Sequence, residues 1–385
     1  MIAPSVREAL HACSGAVIGS LDAMPEPEVV LDGMVDPNAV QAFAFTVWNY
    51  KQGEMVSLMI HLGDRLGIYE HLDGTGPITA AEVAELSGLH ERWLLEWLRA
   101  NAAAHLLEYH DGDRFELTDV GAMVLARSDS PNFAAAACRE PRPVGYIDRL
   151  ADAFRSGIGL SYDDLGAETA HHVERMLGPM ARALLVPVVI PALDGVQAKL
   201  ERGAAVADVG CGAGLSLELL AEAFPASTFH GYDLSEHAIA AARERFADAK
   251  ITNVELFRAR AEELPTEPTY DLVLSFDCIH DMTRPDLAIA AIRRAIKDDG
   301  TWLVKDIRSA PDFVDNLKNP MLAMMCSTSV ATCMSSSMSE EGGLGLGTLG
   351  FNPQVVEEMA RAVGFTQLTT HDLPDPANFY YEIRV

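Results

Sequence analysis

The segment richest in chemistry is Asp208-Val209-Gly210-Cys211-Gly212-Ala213-Gly214. It stands where an apolar run at 204–209 gives way to a helical pattern, the place where a doubly wound sheet binds a nucleotide-like ligand. Glycines there let the backbone turn sharply and admit a ligand without a side chain in the way. The spacing is Gly-x-Gly-x-Gly; a dinucleotide fingerprint wants Gly-x-Gly-x-x-Gly, and position 215 is leucine. The loop therefore suits a nucleoside better than a pyrophosphate. Asp233 ends the next apolar run, 23 positions after Gly210. A carboxylate there can accept hydrogen bonds from both ribose hydroxyls. The bland alternative is that Asp233 caps a helix beginning near Ser235; beside the glycine loop, the ribose reading is preferred.

A second constellation is His280-Asp281, just after an apolar run at 272–276. Histidine has the intrinsic pKa to take a hydroxyl proton near neutral pH, and a carboxylate beside it can fix its tautomer. Equally, Asp281 could cap a helix begun near Thr283, and His280 could be a polar loop residue packed on the core. Tyr162 puts an aromatic hydroxyl in a glycine-rich stretch, with plain packing as its alternative. Met321, Met324, Met325, Met334 and Met338 form a soft cluster that is either core or an adaptable substrate pocket, with Met325 taken as substrate-facing. His171-His172 have no third partner at metal spacing and read as ordinary helix residues, so no metal is expected.

These residues need elements to hold them. From Ala204 the chain alternates strand and helix: strands at 204–209, 228–232, 254–258, 272–276 and 301–306, with helices at 215–223, 236–248 and 285–295. That alternation predicts a parallel sheet with helices on both faces. Runs at 365–368 and 379–384 supply two more strands, an antiparallel hairpin closing one edge. Further upstream, Met55, Leu58, Met59, Leu62 and Leu66 recur on one helical face. Thr79-Ala80-Ala81-Glu82 reads as a capping box, and a further helix runs from about His90 to Ala104. Runs at 106–109 and 114–117 flank the turn Asp111-Gly112-Asp113. Three helices and a hairpin make a winged helix. The expected organisation is an extension at 1–45, partly helical with a Pro25-Glu26-Pro27-Glu28 patch, a winged-helix domain at 46–125, a proline-punctuated helical linker at 126–195 that shapes a pocket, and the α/β domain at 196–385.

Asp208 through Gly214, Asp233, Ala261-Glu262 and Tyr270-Asp271-Leu272-Val273 together resemble the ordered motifs of class I S-adenosylmethionine-dependent methyltransferases, over about half the chain. That resemblance implies a Rossmann-like methyltransferase sheet and S-adenosylmethionine as cofactor. Asp233 would hold the ribose, with Leu234 beside it. Ala261 and Glu262 would meet adenine, Gly210 and Phe276 the methionine end, and Asp208 the amino group; Gly212 and Gly214 complete the loop. The layout resembles small-molecule O-methyltransferases and a bacterial group often labelled methyltransferase or regulator. In plant-type relatives a His-Asp pair at the place of His280-Asp281 provides the base, followed by Trp where this chain has Met282. Tyr162 would lie in a lid over the donor.

The chain has 385 residues, 29 Lys+Arg against 56 Asp+Glu, a formal charge of −27 and 49% hydrophobic residues. So acidic a protein repels phosphate backbones and anionic membranes. Between Thr79 and Asp119, where a winged helix would meet DNA, nine acids face three bases, so nucleic acid is not an expected partner and a homodimerisation module is. Six scattered cysteines give no disulfide framework. The apolar stretch at 13–21 is too short and interrupted for an export signal. The uncharged run at 319–339 is too rich in Ser and Thr to span a membrane. A cytoplasmic location is expected. The reading is a methyltransferase acting on a small molecule, by O-methylation with His280 as base or by S-methylation of a small acidic thioether. The alternative is a winged-helix transcriptional regulator that binds the cofactor without catalysis.

Overall fold

The computed structural model describes residues 36–138 and 144–385. The apolar stretch at 13–21, the Pro/Glu patch and most of the extension lie outside the described residues. The described residues divide into two units, with the boundary between Val56 and Ser57. The first described helix, Pro37–Arg65, starts well before the expected position. Its start is local chemistry: the Asp36 carboxylate accepts the Asn38 N–H at 2.9 Å, and proline is at home at the first helical position.

Residues 68–125 build the winged helix. Helices Ile68–Leu72, Ala80–Ser87 and Glu91–Ala103 pack with a small sheet of order β1-β3-β2, where β1 is Ile78–Thr79, β2 Glu108–His110 and β3 Arg114–Glu116. The capping box forms as expected: Glu82 N–H donates to Thr79 Oγ1, and the Glu82 carboxylate accepts Thr79 N–H at 2.8 Å. Leu94, Trp97 and Leu98 from one helix meet Ile68, Tyr69 and Phe115 in a single apolar core.

The α/β portion has strands β4 (Ala205–Val209), β5 (Thr228–Asp233), β6 (Val254–Arg258), β7 (Tyr270–Phe276), β8 (Ile296–Ile307), β9 (Gln367–His371) and β10 (Asn378–Arg384). They form one seven-stranded sheet in the order β6-β5-β4-β7-β8-β10-β9. Strands β4 to β8 run parallel and the β9–β10 hairpin adds antiparallel against β8. Alternate residues enter opposite cores. Val206, Leu272, Leu274 and Leu303 pack on one face with Leu217 and Phe229, while Ala207, Val209, Val273 and Val304 pack on the other with Ile289 and Trp302. Both faces are covered, as an apolar parallel sheet requires. Strand order reverses beside β4, between β5 and β7, which opens a crevice at their carboxyl ends.

The stretch expected as a linker holds the helices Tyr146–Ser156 and Glu168–Leu184, and the helix Val196–Arg202 follows it. Pro179 lies inside the second, which passes into a wider π-turn at Leu185–Val189. The uncharged run forms the helix Leu322–Thr328, a second π-turn at Ser329–Cys333 and one more helical turn, Met334–Ser337. No single helix among the described residues is long and apolar enough to cross a membrane.

Candidate active site

The glycine loop is pinned to the next strand. Gly210 and Cys211 donate their N–H groups to Tyr232 O at 2.8 and 3.1 Å. Gly210 has φ +76°, and a Cβ there would fall 2.6 Å from Cys278 Cβ, so only glycine fits. Gly214 has φ +82°, and its would-be Cβ meets the Phe246 ring at 2.7 Å. Its role is close packing against the helix Glu236–Ala249. Gly214 lines neither cavity described below.

Asp233 Oδ2 accepts Gly212 N–H and Oδ1 accepts Ser235 N–H, both at 2.8 Å. The helix cap is Ser235 itself, whose hydroxyl accepts Ala238 N–H. Asp233 is therefore not the cap; it braces the loop and faces a cavity with its remaining lone pairs. That cavity, about 380 Å³, is also lined by Gly210, Gly212, Leu234, Ala261, Glu262 and Phe276. It thus gathers every expected cofactor residue except Gly214 and Asp208. Asp208 lines a smaller adjoining cavity of about 140 Å³, which shares Gly210, Gly212 and Phe276 with the larger one. Burial, then the nearby charge of Asp233, pushes the Asp208 carboxyl up to about 7. The residues fit a nucleoside with an amino-acid tail: a ribose acceptor at Asp233, an apolar shelf at Leu234 and Ala261, and a carboxylate deep beside the loop.

His280 does not stand on the cavity wall. It is 3% exposed, in the short turn Ile279–Asp281. Its Nδ1 lies 2.7 Å from Asp306 Oδ1, and its Nε2 lies 3.4 Å from Asp281 Oδ1. Burial disfavours its charge, but the two carboxylates outweigh burial and lift the imidazole well above its ordinary pKa. The structure thus encloses His280 between two aspartates that favour its charged form, where the sequence reading has a free base. The group that reaches the cavity is Asp281, whose Oδ2 accepts the Tyr162 hydroxyl at 2.8 Å. Burial raises the Asp281 carboxyl, which makes it a stronger base than an exposed aspartate. Tyr162, itself raised by burial and by Asp281, stays a phenol and a donor. Asp281 caps no helix at Thr283; the next helix starts at Pro285.

Cys333 completes this cluster: His280, Asp281 and Cys333 bring nitrogen, oxygen and sulfur atoms within 4.8 Å of one another, the one buried donor set of this kind among the described residues. Met325 lines neither cavity, and its sulfur accepts from Asn319 Nδ2 at 3.4 Å. The cavity-facing part of the uncharged run is instead Ser336 and Ser339, followed by Glu340. Sequence reasoning missed Asp306, Lys305, Arg260 and these serines. The signal for the first two was a charged pair ending the buried strand Trp302-Leu303-Val304. Arg260 pairs with Glu340, and both line the larger cavity.

Residues 200–361 match a family described as a methyltransferase domain, and residues 54–127 match an Rv2258c-like winged HTH domain. The chain carries a methyltransferase domain behind a winged helix-turn-helix domain. Among solved structures, the mitomycin 7-O-methyltransferase shares 20% identity at a TM-score of 0.64, covering 91% of this chain and 99% of that one. Human N-acetylserotonin methyltransferase, solved in complex with SAM, shares 16% at 0.63, covering 92% and 99%. An O-methyltransferase family protein from Burkholderia thailandensis shares 17% at 0.62, covering 91% and 99%. At these identities the likeness establishes the fold, that of class I methyltransferases. A curated relative, the malonyl-[acyl-carrier protein] O-methyltransferase of Paenibacillus sp. (strain JDR-2), is 27% identical over 100 residues. Those residues are 25% of this chain, and the chain spans only 36% of that relative's length. The glycine loop and Asp233 both fall inside the matched methyltransferase domain.

Proposed function

We propose that this chain is an S-adenosylmethionine-dependent methyltransferase acting on a hydroxyl of a small-molecule acceptor. The observation that carries the reading is the Asp281 carboxylate on the wall of the cavity that Asp233 and the glycine loop also line. When bound, the cofactor supplies an electrophilic methyl group on a sulfonium, so the protein's task is alignment and removal of one proton. Asp233 and Gly210 hold the nucleoside side. Tyr162 fixes the Asp281 carboxylate, which takes the acceptor's proton. Behind it, the His280 imidazolium, itself held by Asp306, faces Asp281 Oδ1 and keeps the carboxylate oriented.

His280 becomes a positioning residue in this scheme and Asp281 the base. A thioether acceptor has no proton to lose and would leave that carboxylate without work, so the oxygen acceptor is the favoured class. The acidic wing argues against the DNA-binding regulator. The exposed Phe43, Trp48 and Tyr50 of the first helix, about 70% accessible each, support a homodimer. The test is transfer of labelled methyl from S-adenosylmethionine to a panel of phenolic and enolic acceptors. With a hydroxyl acceptor found, Asp281→Asn should lower turnover by ~10²–10⁴-fold while S-adenosylhomocysteine still binds. Loss of only a few-fold would refute Asp281 as base.

A further inference from the structure

His280, Asp281 and Cys333 belong to two loops that the fold brings together. The turn after β7 carries the first two, and the π-turn Ser329–Cys333 carries the third. No short motif marks the set, since its donors are distant along the chain. The proposed proton transfer uses only the Asp281 oxygen held by Tyr162 at the cavity wall. The other oxygen, Oδ1, is buried and receives no hydrogen bond; its ion-pair partner is His280 Nε2 at 3.4 Å. The Cys333 sulfur, on a residue 6% exposed, sits against His280, Asp281, Tyr162 and Thr348. The Thr348 hydroxyl is likewise buried without a hydrogen-bond partner.

These donors are of the kinds that hold a metal ion of borderline softness. Imidazole nitrogen, carboxylate oxygen and thiolate sulfur are the protein ligands of zinc, at about 2.0–2.3 Å from the ion. Magnesium and calcium, which want oxygen ligands, match the set poorly. His280 Nε2, Asp281 Oδ1 and Cys333 Sγ lie within 4.8 Å of one another, close enough for one ion to bridge them with small side-chain shifts. Asp306 gives the support that a ligating histidine needs: it takes the Nδ1 proton at 2.7 Å and so turns Nε2 toward the cluster. In the metal-free protein a proton on Nε2 stands in that place; a bound cation replaces it and expels the thiol proton. The Tyr162 hydroxyl or a water supplies the fourth ligand. The larger cavity, which Asp281 lines, is the way in, and a chain of charge −27 draws cations toward it.

We propose that His280, Asp281 and Cys333 form a binding site for one thiophilic divalent cation of the zinc class. The site goes beyond the methyl-transfer reading. Its consequence for turnover rests on Asp281 as base: a cation on Oδ1 takes up the charge of that carboxylate, so zinc binding and proton removal exclude one another.

Calorimetry with zinc chloride, on the full chain freed of metal by a chelator, should find one equivalent bound with micromolar affinity or better. Cys333→Ser should weaken binding by at least about tenfold, and Asp306→Asn by about 10–100-fold. His110, Glu108 and Glu116 form the other donor set among the described residues, more exposed and without sulfur, and His110→Gln should leave the affinity within about threefold. No binding, equal affinity in Cys333→Ser, or a loss in His110→Gln overturns the proposal. X-ray absorption on the zinc-loaded, unaltered chain covers the case in which the variants do not fold. A shell with one sulfur at about 2.3 Å beside nitrogen and oxygen at about 2.0–2.2 Å supports the site, and a shell without sulfur overturns it. With a hydroxyl acceptor found, zinc should slow turnover as the site fills. Zinc held through Cys333 with turnover unchanged overturns Asp281 as base and leaves the site standing.

Discussion

Replacing Asp233 by alanine separates two jobs of one carboxylate. In the unliganded protein it accepts the N–H groups of Gly212 and Ser235, each at 2.8 Å. Each oxygen keeps a further lone pair for the cavity. The ligand-side loss is two charge-assisted hydrogen bonds to ribose, each worth roughly 1.5–3 kcal/mol, or about 3–6 kcal/mol together. That is a fall of about 10²–10⁴-fold in affinity for S-adenosylhomocysteine. The protein-side loss is two backbone donors that water can reach once the side chain is gone, a cost of about 1–2 kcal/mol in stability. Urea unfolding reads the second quantity and calorimetry the first. The two are kept apart by a probe lacking the ribose hydroxyls, 2′,3′-dideoxyadenosine, compared with adenosine. In the unaltered protein adenosine should bind more tightly; in Asp233→Ala the two should bind alike. A variant that still prefers adenosine, or that holds S-adenosylhomocysteine within about fivefold of the original, would contradict the ribose assignment.

His280 should stay protonated through neutral pH, because Asp306 and Asp281 lift it well above the ordinary value. Long-range proton–nitrogen NMR, assigned with His280→Gln, reads this directly, and titration at the ordinary histidine pKa would count against it. The linked stability has a definite sign: it is full below the unfolded histidine's pKa and is lost as pH rises through the elevated folded one. Asp306→Asn keeps an acceptor for the Nδ1 proton but removes the charge, so the titration should move down. Gly214→Ala should destabilise by about 1–3 kcal/mol, since its Cβ meets Phe246 at 2.7 Å at a φ of +82°; an unchanged urea midpoint would show that the helix yields. The acidic winged helix should show no salt-sensitive binding to duplex DNA at micromolar concentration, whereas sedimentation should find a dimer.

What could be read from sequence divides along a physical line. The β4–loop–helix unit was legible because each part is local: an apolar strand, glycines at set spacing, and an acid at the end of the next strand. Strand β8, Ile296–Ile307, starts earlier than the expected 301–306 and takes in the polar Lys297-Asp298-Asp299-Gly300. The structure keeps it as strand, with Ile296 opposite Tyr270 across a register shift and Lys297 bonded to the Asp271 carboxylate at 2.9 Å. A charge partner on the neighbouring strand makes strand of what composition presents as a loop. Met325 and Gly214, which line neither cavity, show a related limit. A residue type can suit a pocket or a loop, but which way it faces depends on elements packed from elsewhere.

The end of β8 shows how far that limit reaches. Lys305 and Asp306 are consecutive, and in a strand consecutive side chains leave on opposite faces. One therefore goes to Asp277 and the smaller cavity, the other to His280. From sequence alone, two adjacent opposite charges after an apolar strand look like an exposed pair at a strand end. The sheet instead separates them by its own thickness, and each neutralises a group brought by the loop after β7, Asp277 on one side and His280 on the other. The left-handed backbone at Asp277 lets that loop reach both. If that geometry is the cause, exchanging the two charges, with Lys305→Asp and Asp306→Lys in one chain, should disrupt both pairs at once. Adding Asp277→Lys to that double variant restores an opposite charge on one side only. Urea unfolding should then recover part of the lost stability, while the titration of His280 stays lowered because a cation still faces its ring. A double variant as stable as the original, or a triple variant in which His280 titrates as high as before, would break the link between strand alternation and the two pairs.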